Sequence, residues 1–102
     1  MNETRQSEIK TIKVTLKKNE VTVSAQDSIE ELAARGYGTK QDKTLKLTLY
    51  EALFLLSKQT VEVHKPKSKT KTTFQQLLNT YKTVEPNAWA KYLIYRDLRS
   101  RG

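Results

Sequence analysis

Leu45-Lys46-Leu47-Thr48-Leu49-Tyr50-Glu51-Ala52-Leu53-Phe54-Leu55-Leu56 decides the fold class, because its hydrophobic period changes partway along. Leu45, Leu47 and Leu49 alternate, the period of two expected of a half-buried strand. Thr48 stands three residues before Glu51, the spacing of a capping box, and leads directly into Ala52-Leu53-Phe54-Leu55-Leu56. That second run is apolar nearly all round and predicts a core helix. A strand that feeds a buried helix is the signature of mixed α and β structure.

The same signals recur on either side. Upstream, Ile12, Val14 and Leu16 alternate with Lys13, Thr15 and Lys17, and Lys18-Asn19-Glu20 reads as a turn into Val21-Thr22-Val23, so a hairpin is expected. Asp27 or Ser28 is expected to cap a short helix that carries Ile29, Leu32 and Ala33 on one face and stops at Gly36. Downstream, Thr60-Val61-Glu62-Val63-His64 predicts a short strand and Lys65 to Lys71 a loop. Thr73 and Gln76 form a second capping box, starting a helix with Phe74, Leu77, Leu78 and Tyr81 on one face. Pro86 suits the first turn of a last helix, with Trp89, Leu93 and Leu98 on or near one stripe. The expected architecture is α+β: a polar tail over 1–11, then a single domain over 12–102 with a small, mainly antiparallel sheet and about three helices packed on it.

Length and composition agree with one small domain. Of 102 residues, 24 are Leu, Ile, Val or Phe, enough for one sheet covered on one side and too few for an elaborate buried site. The absence of cysteine excludes a disulfide framework, a thiolate metal site and a cysteine nucleophile, and the single histidine, His64, excludes a multi-histidine metal site. No cofactor is expected. Met1-Asn2-Glu3-Thr4-Arg5 is polar with no apolar run behind it, and nothing is long and apolar enough to span a membrane. A soluble, cytoplasmic protein is the expectation.

Charge is uneven. Nineteen Lys and Arg against eleven Asp and Glu give a net charge of +8, of which residues 64–102 hold +7. Neutralising phosphates with such a half releases counterions, so a nucleic-acid partner is one reading and ordinary solubilising charge the other. Lys65, Lys67, Lys69 and Lys71 fall at every second position, and an extended backbone would point all four to one side for a phosphate chain to follow. Arg96, Arg99 and Arg101 interleave with Tyr92 and Tyr95 in the last helix, where stacking and charge together suit single-stranded RNA. Against both stand a solvated lysine loop and a helix end whose cations complement its dipole.

Catalytic groups are sparse. His64 would need an orienting partner to act as a base, and only Glu62 shares its face. Asp27, Glu30 and Glu31 read as caps and helix-dipole partners rather than as a carboxylate pair. Gly36-Tyr37-Gly38 follows a helix instead of opening one, so it is a turn and not a phosphate-binding loop.

Lys91-Tyr92-Leu93-Ile94-Tyr95-Arg96-Asp97-Leu98-Arg99-Ser100-Arg101-Gly102 resembles the segment that joins the two domains of archaeal tRNA-splicing endonucleases. Glu31-Leu32 with Gly36-Tyr37-Gly38, the 45–56 stretch, Val61-Glu62-Val63 and Thr73-Phe74-Gln75-Gln76-Leu77-Leu78 agree with that family's N-terminal domain in the same order. The resemblance implies an enzyme that removes introns from precursor tRNA at bulge-helix-bulge sites without a metal ion, using a tyrosine as base, a histidine as acid and a lysine to steady the phosphate. Those three residues belong to the family's C-terminal domain, so none carries over to His64 or to a tyrosine here. Arg101-Gly102 reads as a linker cut mid-motif. The resemblance thus implies an inactive domain whose partners are a catalytic domain or subunit and, by direct contact, precursor tRNA. A stand-alone RNA-binding or non-catalytic subunit and a purely structural assembly module are the alternatives.

Overall fold

The computed structural model describes residues 11–101, so apart from Thr11 the expected polar tail lies outside the described residues, as does Gly102. Six strands form one sheet in the order β3-β4-β2-β1-β5-β6: β1 Ile12–Lys17, β2 Glu20–Val23, β3 Thr39–Gln41, β4 Thr44–Leu47, β5 Val61–His64 and β6 Lys71–Thr72. Four helices, α1 Gln26–Ala34, α2 Leu49–Ser57, α3 Phe74–Val84 and α4 Ala88–Arg101, complete the α+β fold. Every pairing is antiparallel except that of β1 with β5, which run in the same direction with Ile12 beside Val61 and Thr15 beside His64.

Alternation along the strands sets the two faces of the sheet. Ile12, Val14, Leu16, Val21, Val23, Leu45, Leu47, Val61 and Val63 are buried together with Leu32, Leu53, Leu55 and Leu77 of the helices, so the core lies between one sheet face and the helical layer. Fully burying each Leu or Val is worth roughly 1.5–3 kcal/mol. Lys13, Thr15, Thr22, Lys46, Glu62 and His64 point the other way and are exposed or half-buried, which leaves that face open among the described residues. Lys18 and Asn19, at φ +52° and +63°, make the two-residue turn between β1 and β2, a geometry whose twist matches that of the flanking strands.

Both capping boxes form. Thr48 accepts from the Glu51 N–H at 3.2 Å while the Glu51 carboxylate accepts from the Thr48 N–H at 2.9 Å. Thr73 and Gln76 repeat the exchange at 3.1 and 2.9 Å. Because Thr48 is itself extended, at φ −74° and ψ 161°, strand-like alternation runs on through the cap; Leu49, expected in the strand, is the first residue of α2. Helix α1 starts earlier than expected. The Ile29 N–H donates to the Ala25 carbonyl at 2.9 Å, which places Asp27 and Ser28 inside the first turn and leaves the cap position to Ala25, without a side-chain bond. The expected stop at Gly36 is present: at φ +87° its N–H reaches the Ala33 carbonyl and the Tyr37 N–H reaches that of Leu32.

Helix α4 departs most from the sequence pattern. It begins at Ala88, two residues beyond Pro86, after a turn in which the Ala88 N–H bonds the Glu85 carbonyl. Its buried residues are Ala88 and Tyr92, whereas Trp89 is 44% and Leu98 62% exposed. The stripe that meets the core is therefore Ala88, Tyr92, Tyr95 and Arg99, with Leu93 packed at its edge as expected and Trp89 and Leu98 outside it.

Candidate nucleic-acid interface

The Lys65–Lys71 loop is bent, not extended. The Ser68 N–H donates to the Lys65 carbonyl at 3.1 Å with Pro66 and Lys67 between them, Lys67 at φ +66°. That is the form of a type II turn, in which Pro suits the second position and the third takes a positive φ. The single-sided row of four lysines expected from an extended backbone is thus broken at Pro66. Lys65, Lys67, Lys69 and Lys71 are all exposed, and Lys71, now the first residue of β6, lies 3.3 Å from the Glu62 carboxylate.

The structure adds cations from elsewhere in the chain. Because β1 and β5 run parallel with Thr15 beside His64, their C-terminal ends emerge at the same end of the sheet. The β1–β2 turn and the lysine loop consequently meet around a depression of about 360 Å³ lined by Leu16, Lys17, Lys18, Asn19, Lys65, Pro66 and Thr80. In the sequence alone Lys17 and Lys18 are a strand end and a turn. The signal that would have found them is the β1–β5 register, which no local pattern contains.

The open face adjoins this end. Lys71, His64, Thr15, Thr22, Lys46 and Thr39 stand directly opposite one another in register, one from each strand. His64 Nε2 lies 3.2 Å from Glu62 Oε1, so the pair expected from their shared face is in contact. The hydrogen bond from His64, then that from Lys71, holds the Glu62 carboxyl below the usual carboxylate range. Lys46 pairs with Glu20 at 3.2 Å.

The arginines sit in a different neighbourhood. Arg99 lies with its guanidinium 4.0 Å from the Tyr37 ring centroid and donates to the Arg35 carbonyl at 3.0 Å, so it ties α4 to the turn after α1. Arg101 pairs with Asp97 at 3.2 Å, and Arg96 is exposed. The tyrosines belong to the helical layer too. Tyr50 and Tyr95 rings lie 4.8 Å apart, Phe54 meets Tyr95 edge-on at 5.8 Å, and Tyr92 contacts both Phe74 and Trp89 at 5.5 Å. Burial pushes the Tyr95 phenol up to about 12, and its hydroxyl has no hydrogen-bond partner among the described residues. His64 and the tyrosines thus occupy opposite sides of the sheet. Among the described residues no three His, Cys, Asp or Glu side chains converge, and no helix is long and apolar enough to cross a membrane.

These features define a small, basic α+β domain with a one-sided sheet. Residues 12–78 match the family described as tRNA intron endonuclease, N-terminal domain, and the chain belongs to that family. The match takes in the β1–β2 hairpin, which lies upstream of the residues that carried the resemblance. A tRNA-splicing endonuclease of Methanococcus maripaludis is 30% identical over 93 residues, 91% of this chain and 52% of its own length. Its counterpart in Methanococcus vannielii is 31% identical over the same shares, and that of Pyrococcus furiosus is 37% identical over 68 residues, 67% of this chain and 39% of the relative. The chain thus spans about half the length of the two Methanococcus relatives.

Proposed function

We propose that this chain is a non-catalytic N-terminal domain of a tRNA-splicing endonuclease, working in the cytoplasm, that supports a catalytic domain or subunit and touches precursor tRNA through its lysine loop. The observation that carries this reading is the uncovered flank of α4. Ile94 and Leu98, 61% and 62% exposed, stand one helical turn apart beside Tyr50 and Tyr95 around a depression of about 350 Å³. Grouped apolar exposure on an otherwise polar surface marks a partner site. The relatives named tRNA-splicing endonuclease have about as much chain again as this one covers, and that remainder is the occupant we assign to the flank. The separation of His64 from the tyrosines supports the non-catalytic half of the reading, because acid and base must meet the same phosphodiester.

The test joins this chain to the separately expressed remainder of the Methanococcus maripaludis relative and assays cleavage of a precursor tRNA with a bulge-helix-bulge site. A complex is expected, and the double variant Ile94→Asp/Leu98→Asp, whose side chains lie outside the core, should abolish it. The chain alone should leave the RNA intact. A complex indifferent to the double variant, or cleavage by the chain alone, overturns the proposal.

A further inference from the structure

We infer that the basic end of the sheet and the open face beside it bind the backbone of double-stranded RNA, without regard to sequence and in preference to single strands. The inference rests on the RNA-contact half of the function proposed above and names the form of RNA it concerns. Lys17, Lys18 and Lys65, drawn from two separate turns, line the depression at one end of the sheet, Lys67 stands exposed in the second turn, and no carboxylate lines the depression among the described residues. The acidic residues of the adjoining open face are already engaged: Glu20 with Lys46, Glu62 with His64 and Lys71. Net positive potential therefore extends from the turns onto the sheet.

What this surface lacks decides between the two forms of RNA. Single strands are gripped by stacking bases on exposed rings, worth roughly 1–3 kcal/mol per base. The outward residues of the strands, the β1–β2 turn and the lysine loop contain no Phe, Tyr or Trp, and the imidazole among them, His64, is half-buried and held by Glu62 at 3.2 Å. The phenol rings near this end are withdrawn: Tyr81 is 7% exposed, and Tyr50 packs against Tyr95. In place of rings the open face and its turn carry hydroxyls and an amide, from Thr15, Thr22 and Asn19. Hydroxyl, amide and ammonium groups on a broad face suit the wide, shallow minor groove of A-form RNA, which displays phosphates and 2′-hydroxyls. From Lys71 in β6 to Lys46 in β4 the face crosses four strand spacings, roughly 19 Å at ~4.8 Å each, so it is wide enough to meet both strands of a duplex.

Fluorescence anisotropy of the chain with a blunt RNA hairpin and with oligouridine of equal phosphate number, across a salt series, tests the inference. The hairpin should bind at least about tenfold more tightly, with a log–log salt slope of about −4 for the four lysines of the turns. Lys17→Gln/Lys65→Gln should bring the slope nearer zero by about two, while Lys43→Gln/Lys58→Gln, which removes the same charge elsewhere, should leave it unchanged. Far-ultraviolet circular dichroism checks that both variants are folded. Oligouridine binding as tightly as the hairpin, or the two double variants behaving alike, overturns the inference and leaves an RNA contact standing. No binding to either RNA at low salt overturns the inference and the RNA-contact half of the proposed function together, without touching the α4 partner site.

Discussion

Glu51 is buried, 9% exposed, and its two carboxylate oxygens serve two different backbone segments. Oε1 accepts from Thr48 and so completes the cap of α2; Oε2 accepts from the Gly38 N–H at 3.1 Å and holds the turn that follows α1. Gly38 has to be glycine for this approach, since at φ +76° an added Cβ would lie 2.7 Å from Leu45 Cγ and 3.0 Å from the Lys46 carbonyl. The equivalent position in α3 is Gln76, which has one backbone N–H to satisfy and needs one oxygen only. An amide is therefore sufficient at 76 and insufficient at 51. Glu51→Gln sets an NH₂ group against a backbone N–H and should cost about 1–3 kcal/mol, whereas Gln76→Glu should change stability by less than ~0.5 kcal/mol. Urea unfolding of the two variants checks the contrast, and equal losses would mean that the Gly38 contact contributes nothing.

Elements whose cues are local were legible in the sequence, and those defined by contact were not. The β1–β2 hairpin, both capping boxes and the Gly36 stop stand where residue type and spacing place them. Strand β3 has three exposed residues and β6 only two, one exposed and one buried, so neither has an alternation to detect. Helix α4 misleads for a different reason. Trp89 and Leu98 look like core because they are large, yet the positions facing the core are held by small Ala88, by Tyr92 and Tyr95, and by Arg99, which joins the apolar layer by lying on the Tyr37 ring. Hydrophobicity alone cannot rank an arginine above a tryptophan for that role; the phase of the helix does. The assignment has a direct energetic consequence. Tyr92→Ala should cost about 3–5 kcal/mol, while Trp89→Ala should cost less than about 1.5 kcal/mol, read as denaturant midpoints with unchanged slopes. Reversed costs would return the buried face of α4 to the one expected from residue size.

At the scale of the whole molecule, the division of charge along the chain is replaced by a division in space. The C-terminal cations that gave residues 64–102 their excess are partly tied down: Lys91 pairs with Glu85 at 2.8 Å, Arg101 with Asp97, and Arg99 is held on Tyr37 and Arg35. The basic end of the sheet instead takes Lys17 and Lys18 from one half of the sequence and Lys65 and Lys67 from the other, brought together by the parallel β1–β5 pair. The turns bring Lys17 and Lys18 to one depression with Lys65, and their ammonium groups repel one another in the folded state more than in the unfolded chain, where the two halves are on average farther apart. The repulsion is screened once the Debye length shrinks from ~30 Å at 0.01 M salt to ~8 Å at 0.15 M. The exposed ion pairs respond oppositely, but each is worth only about 0–1 kcal/mol and loses little on screening. Repulsion should therefore win, and Tm should rise by a few degrees over that salt range, about 4–8 °C corresponding to each kcal/mol in a domain of this size. Lys17→Gln/Lys65→Gln should be more stable than the native chain at 0.01 M salt and should show a flatter Tm–salt curve. A Tm that falls with salt in both proteins would mean that the ion pairs of the helices and the open face outweigh the crowded turns, and the lysines there would then be too far apart to act as one site.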